Sequence, residues 1–365
     1  MNVTRKSISN KSKSNTKYSS RLRSKTKKSY TPTINKQLVS FKSVNTRTRS
    51  AFNICNKKNG FQIHKQQLLV KVNHRCLPYT HPLAIKYLLK HLSINKHIKP
   101  FKIIPPKQIN SNCWFNTLFV ILFVSDKGRK FFHFFRQLMI EGKQVNGKPI
   151  EPVKLRDAFA MFNYAIEVCL TGDNYGSKIN TNSIISTIYK SIPKTYEFKD
   201  NIPNVNEGGN PFRYYACIIR FLNNNDLHYF YIRDANEFWH SHILKKYNDH
   251  SNKLPHFIIL EFFENNANRV RNKPTEFHIE GATYTIDSSV IREASGRHFS
   301  ATLTCEGNEY GFDGLSFHRL VPLKWKKYLN ENHSWNFSGS EDFDKTPLDW
   351  NFCKCYQMLV YYRSN

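Results

Sequence analysis

The chain has 365 residues, 40% hydrophobic and 14% aromatic, enough for one large core or two smaller ones. Its 55 Lys and Arg against 27 Asp and Glu give a formal net charge of +28, unevenly placed. Residues 1–125 hold 25 of the cations and no acid, whereas the remainder holds 30 cations against 27 acids. That distribution excludes a uniformly cationic, histone-like protein, and the Phe, Tyr, Ile and Leu of the body exclude a chain disordered from end to end. The longest apolar run, Leu118 to Val124, is seven residues, against ~20 for a bilayer span. No apolar signal segment stands at the N-terminus, so no membrane partner is expected. The eight cysteines (Cys55, Cys76, Cys113, Cys169, Cys217, Cys305, Cys353 and Cys355) are scattered. They read as reduced thiols of a cytosolic or nuclear protein rather than as a disulfide framework.

Residues 1–50 read as a disordered basic tail of Ser, Thr, Asn, Lys and Arg with isolated apolar residues. Its densest run, Arg21 to Lys28, suits either a nuclear-localisation or nucleic-acid-binding patch held by phosphate contacts, or a solvated, solubilising tail. Residues 51–100 read as an extension packed on a body spanning 101–365. A strand is predicted at 68–72, and a helix at 81–92 with Leu83, Ile85, Leu88, Leu89 and Leu92 along one side. Pro105-Pro106 breaks the chain, and Asn112 offers an N-cap for an apolar helix over 113–124. Further helices are expected at 127–140, 153–170, 180–191 and 211–222. Asn210-Pro211 marks the start of the last of them, and Gly172 lies just past the end of another. After about residue 226 the pattern turns to short aromatic and β-branched runs: 229–232, 257–263, 282–291, 298–305, 309–312 and 357–362. Helices first and strands later predict an α+β fold, a helical lobe packed on an antiparallel sheet.

The chemistry-bearing segment is Gln108-Ile109-Asn110-Ser111-Asn112-Cys113-Trp114-Phe115-Asn116-Thr117. A polar loop runs into an apolar helix with the cysteine at the junction. A helix N-terminus offers unpaired N–H groups and about half a positive charge, both of which stabilise a thiolate nucleophile. The same N–H groups can hold the oxyanion of a tetrahedral intermediate, with an amide such as Gln108 or Asn110 as second donor. The alternative is a small buried residue at a helix start, since buried free cysteine is common. A base for Cys113 stands far downstream. In Ser295-Gly296-Arg297-His298-Phe299 a glycine-containing loop leads into a strand headed by His298. Glu309 to Phe312 forms a second strand, ending at Asp313. Pairing the two strands around Glu306-Gly307-Asn308 brings Asp313 back beside His298, where a carboxylate fixes the imidazole tautomer.

These residues resemble the ubiquitin-specific proteases, papain-like deubiquitinases. Cys113, Trp114, Asn116 and Thr117 fit the family's cysteine box, and His298, Phe299, Ala301, Tyr310, Phe312 and Asp313 fit its histidine box in order. The runs 255–262, 284–293 and 355–362 look like the strands flanking those boxes. The resemblance covers roughly residues 100 to 365. It implies a helical thumb and an antiparallel β palm with the site in the cleft between them. It also implies Cys113 as nucleophile, His298 as general base, Asp313 as its orienter, and the C-terminal Gly-Gly tail of ubiquitin or a ubiquitin-like modifier as substrate. Gln108 stands where the family usually has an oxyanion-stabilising Asn, one methylene shorter. Arg297 replaces the glycine before the histidine, and Gly314 replaces a second acidic residue. The paired CxxC motifs of the family's zinc fingers are missing, so a reduced fingers module is expected.

No cofactor and no metal is expected. Cys353 and Cys355 are one residue apart, too close for a zinc knuckle, and His228, His240, His242 and His250 lack a clean ligand spacing. Phe131, Phe132, Phe134 and Phe135 read as a helix buried on more than one side. Three functions are weighed: a thiol isopeptidase, a ubiquitin-binding scaffold that keeps the fold without the chemistry, and a nucleic-acid-associated protein acting through its tail. The abundance of Asn, Lys, Ile, Phe and Tyr fits an A/T-rich gene, as in a large DNA virus or a protist. A viral setting would add the virion to the expected locations.

Overall fold

The computed structural model describes residue 55 and residues 68–94, 97–172, 179–196, 210–223, 227–316, 319–342 and 344–364. The tail expected at 1–50 lies outside the described residues.

The N-terminal part is a hairpin, β1 (Leu69–Val72) and β2 (Arg75–Pro78), followed by α1 (Pro82–Ile94). Helix α1 buries Ala84, Leu88 and Leu92, while Leu83 is 55% exposed. Leu88 and Leu92 lie where expected and Ile85 and Leu89 pack at the core's edge; only Leu83 departs, and Ala84 takes its place in the core. Cys55 and Cys76 form a disulfide with Cα atoms 5.8 Å apart, which corrects the expectation of reduced thiols throughout. Spacing alone could not pair two cysteines so far apart in sequence.

The helical lobe comprises α2 (Cys113–Phe123), α3 (Asp126–Phe131), α4 (His133–Glu141), α5 (Val153–Thr171), α6 (Thr181–Ser191) and α7 (Pro211–Asn223). Every residue of α2 is buried. Phe115, Phe119 and Phe123 recur along one side at helical spacing and meet Phe162 of α5, while Phe115 and Phe123 also meet Tyr215 of α7. The helix expected at 127–140 is broken into α3 and α4 at Phe132. The break lets Phe131 pack on Phe257 and Tyr362 of the sheet while Phe132 packs on Phe123. Helix α5 ends at Gly172 in the left-handed region, φ +70°.

The sheet comprises β3 (Tyr229–Ile232), β4 (Phe257–Phe262), β5 (Glu276–Ile279), β6 (Ala282–Arg292), β7 (Phe299–Cys305), β8 (Asn308–Phe312), β9 (Val321–Pro322) and β10 (Gln357–Arg363). Its order is β3-β4-β10-β6-β7-β8-β9, with β5 paired to β6, and only β3–β4 are parallel. Helix α8 (Trp239–Asp249) was not expected in this half. It buries Trp239 and Ile243, and its Lys246 donates to the Tyr231 carbonyl of β3. Two further short helices, α9 (Glu264–Arg269) and α10 (Trp325–Tyr328), lie between strands. One face of the sheet carries the helical lobe and the other a second apolar cluster around Trp325, Trp335, Trp350 and Phe352. The fold is α+β, with the layer order expected. Among the described residues no helix is long and apolar enough to cross a membrane.

Candidate active site

Cys113 is the first residue of α2 and 8% exposed; the Phe115 and Asn116 N–H groups both donate to the Asn112 carbonyl (3.1 Å), so those of Cys113 and Trp114 are the first-turn donors without an intrahelical acceptor. Asn112 occupies the N-cap position but its side chain does not cap the helix. Its carboxamide is committed elsewhere. Oδ1 accepts from the Ile109 N–H (3.0 Å) and from Asn116 Nδ2 (3.3 Å), and Nδ2 donates to Thr181 Oγ1 (3.0 Å) and Asn182 Oδ1 (2.8 Å). Asn182 Nδ2 in turn donates to the Ile109 carbonyl (3.1 Å), and Asn116 Nδ2 to that of Lys107 (3.3 Å). The loop before Cys113 is thereby pinned to the start of α6. Sequence reasoning missed Thr181 and Asn182; the only signal was a polar cluster opening an apolar helix.

His298 and Asp313 come from the β6–β7–β8 meander. Residues Glu306 and Gly307 connect β7 to β8 with φ +48° and +72°, the backbone of a tight hairpin turn matched to the strand twist. Ala301 pairs with Phe312, so continuing the register brings Asp313 level with Ser300, close to His298. The hairpin tip is itself anchored. Asp126 accepts from the Glu306 N–H (2.7 Å) and Gly307 N–H (2.9 Å), while the Glu306 carboxylate accepts from Arg129 (2.7 Å) and pairs with His97 (2.8 Å).

His298 Nε2 and Asp313 Oδ1 form a very short hydrogen bond, and both residues are buried. With Nε2 committed to Asp313, Nδ1 is the ring nitrogen left for Cys113, which contributes to the charge balance of the imidazole. Burial alone would push the His298 pKa down. The Asp313 charge and hydrogen bond, then those of Cys113, outweigh it and lift the value to about 10. Burial would raise the Asp313 pKa, but the imidazolium, Ser340 and the Leu315 N–H (3.2 Å) hold it below the ordinary carboxylate range. His298 is therefore an imidazolium and Asp313 a carboxylate at neutral pH, which sets a cation beside the Cys113 sulfur. Trp350 stands edge-on to the His298 ring at 6.2 Å. Ser340 and Trp350, both in the long loop region before β10, had no sequence signal.

Gln108 lies against Gly314, the residue after Asp313. A Cβ at Gly314 would come within 3.2 Å of Gln108 Cβ and 3.3 Å of its Oε1. Gly314 thus leaves the room that a side chain would take from Gln108. Gln108 Nε2 makes only a long contact, 3.4 Å, to the Asn110 carbonyl, and its Oε1 is buried with no partner. The four residues selected from the sequence, Cys113, His298, Asp313 and Gln108, converge on one place.

The other polar features do not form a centre. Three of the four clustered histidines bind backbone carbonyls: His228 with Lys253 (3.0 Å), His240 with His278 (3.2 Å) and His250 with Lys246 (2.8 Å). Among the described residues no group of three or more His, Cys, Asp or Glu could hold a metal ion. A cavity of ≈ 720 Å³ lined by Arg233, Phe263, Glu264, Arg269 and their neighbours contains none of the four converging residues.

No known family model and no curated protein matches the chain. Similar solved structures include the SAGA Ubp8/Sgf11/Sus1/Sgf73 DUB module bound to ubiquitin aldehyde, at 8% identity and TM-score 0.39 over 73% of this chain and 70% of that one. The same module without that ligand is similar at 12% identity and TM-score 0.34 over 73% and 69%. A further structure of the module gives 12% and 0.34 over 77% and 72%. The likeness is one of overall shape at low similarity, and none of the chemistry below rests on it.

Proposed function

We propose that the chain is a thiol isopeptidase that removes ubiquitin or a ubiquitin-like modifier from conjugates. The reaction class is supported by one arrangement: Cys113 heads a fully buried helix, and the buried His298 is hydrogen-bonded through Nε2 to the buried Asp313. The substrate class is supported by the cysteine and histidine boxes and their order along the chain.

In the mechanism, the Cys113 thiolate attacks the carbonyl of the modifier's C-terminal glycine. The oxyanion is met by the first-turn N–H groups of α2. Gln108 is the second donor. Its contact to Asn110 is at the limit of a hydrogen bond, so swinging the amide onto an oxyanion costs little. His298 gives its proton to the departing lysine amine, and the C–N bond breaks to leave a thioester on Cys113. His298, now neutral, takes a proton from water; the hydroxide attacks the thioester, and the modifier leaves as a free carboxylate. Asp313 keeps the ring oriented throughout and stays ionised.

The competing reading is a scaffold that binds the modifier without cleaving it, motivated by Arg297 in place of the glycine before His298 and by Gln108 in place of the shorter amide. Trapping with ubiquitin carrying a C-terminal electrophile separates the two. A covalent adduct on wild type and none on Cys113→Ala is the expected result. Binding with no adduct and no turnover from folded wild type would establish the scaffold instead.

A further inference from the structure

The turn that delivers His298 is built on one buried carboxylate. Between β6 and β7 the chain runs Glu293-Ala294-Ser295-Gly296-Arg297-His298, and residues 294–297 are exposed. Glu293 is 3% exposed. Its Oε1 accepts from Ser295 Oγ (2.6 Å) and from the Arg297 N–H (2.6 Å), and its Oε2 from the Ser295 N–H (2.5 Å). Its backbone closes the same turn: the Glu293 N–H donates to the His298 carbonyl (2.8 Å), and the Glu293 carbonyl accepts from Gly296 (2.9 Å). Gly296 takes φ +82°, which lets the chain reverse around the side chain.

Two of the three donors are backbone N–H groups on the inner side of the turn, and one of them belongs to the residue before His298. We propose that Glu293 is a positioning residue for the Cys113–His298 pair. Its ionised carboxylate fixes the backbone at 295–297, and through it the point from which the imidazole reaches both Asp313 and Cys113. The inference rests on the proposed thiol chemistry but not on the identity of the modifier. An anion is required. A glutamine of the same size keeps one acceptor oxygen and turns an NH₂ group toward an N–H or O–H donor, so at least one of the three bonds is lost. Displacing a reacting group by about 1 Å costs on the order of 10²-fold, so Glu293→Gln is expected to lower kcat by 10- to 100-fold with little change in KM.

The decisive readout needs no protein substrate. Alkylation of Cys113 by iodoacetamide is followed by peptide mass spectrometry from pH 4 to 10 in full-length wild type, Glu293→Gln and His298→Ala. Wild type is expected to be alkylated faster near neutral pH than His298→Ala, which has no imidazole beside the sulfur. Glu293→Gln is expected to shift at least halfway toward His298→Ala at an unchanged circular dichroism spectrum. A Glu293→Gln profile that superimposes on wild type overturns the positioning role while leaving the Cys113–His298 pair standing. Wild type superimposing on His298→Ala would instead refute the pair, and this proposal with it. If Glu293→Gln does not fold, Ser295→Ala decides, since it removes one donor and keeps the carboxylate. A shift in the same direction supports the role, and an unmoved profile overturns it.

Discussion

Replacing Asp313 by asparagine tests the electrostatic core of the site. Asparagine keeps the shape and an acceptor oxygen but carries no charge. In the native protein burial lowers the His298 pKa, and Asp313 reverses that sign to give about 10. Without the carboxylate, burial is left as the largest influence and the imidazole falls below its ordinary 6.5, becoming neutral at pH 7. With no cation beside Cys113 and the ring held less firmly, kcat/KM is expected to fall by roughly 10²- to 10⁴-fold. The assay is hydrolysis of a ubiquitin–fluorophore conjugate, with iodoacetamide rates at pH 7 in parallel. A loss under tenfold with an unchanged iodoacetamide rate would refute the account of Asp313 as the source of the His298 charge.

Stability should follow the same charge. Because the folded pKa of His298 is raised, its contribution is full below about 6.5 and fades as pH rises toward about 10. The melting-temperature gap between wild type and His298→Gln is therefore expected to be widest at pH 6 and nearly closed at pH 10; a gap that widens with pH would reverse the sign assigned here. Gly172→Ala should cost roughly 2–4 kcal/mol by urea denaturation. Its Cβ would lie 1.9 Å from the Lys102 carbonyl oxygen at φ +70°, and a cost under about 0.5 kcal/mol would show that this helix end relaxes freely. Arg136→Met leaves the buried Glu167, otherwise bridged to Arg136 at 2.6 Å, with His91 at 3.5 Å. A loss of ~3–5 kcal/mol is expected, partly restored by adding Glu167→Gln. Asn112→Ala should leave the melting temperature within a few degrees while lowering kcat, because it frees the loop before Cys113 from Thr181 and Asn182.

Local signals carried much of the architecture. The helix at Cys113 was legible because a run of apolar residues long enough for three turns follows a proline break. The meander was legible because its strands are aromatic or β-branched and its turn carries Gly307, which adopts positive φ readily. What stayed hidden depends on tertiary partners. On α1 the expected face holds except at Leu83, because Leu83 and Ala84 both suit a core and only packing chooses between them. The long phenylalanine-rich helix was drawn unbroken because nothing in its residues shows that Phe131 must reach Phe257 and Tyr362 of the sheet while Phe132 bridges Phe123 of α2 and Phe257. Helix α8 has few apolar residues, so its period is faint. The disulfide joins residues whose proximity no spacing rule encodes.

The site obeys the same division. The reactive side chains stand at element ends, which sequence marks well, whereas the groups that hold them lie where sequence marks little. Asn112 shows the difference. Its place before an apolar helix predicts a side-chain cap, but Thr181 and Asn182 claim its carboxamide, and the Phe115 and Asn116 N–H groups bond its backbone carbonyl instead. The Cys113 and Trp114 N–H groups are the first-turn donors that remain for a thiolate or an oxyanion. The Gln108–Gly314 pairing has the same logic. Read singly, each is a departure from the expected pattern. In the fold they touch, and the missing side chain at 314 makes room for the longer amide at 108. Two substitutions that each look damaging are thus one steric solution, and Gly314→Asp alone should crowd Gln108 while sparing the His298–Asp313 bond.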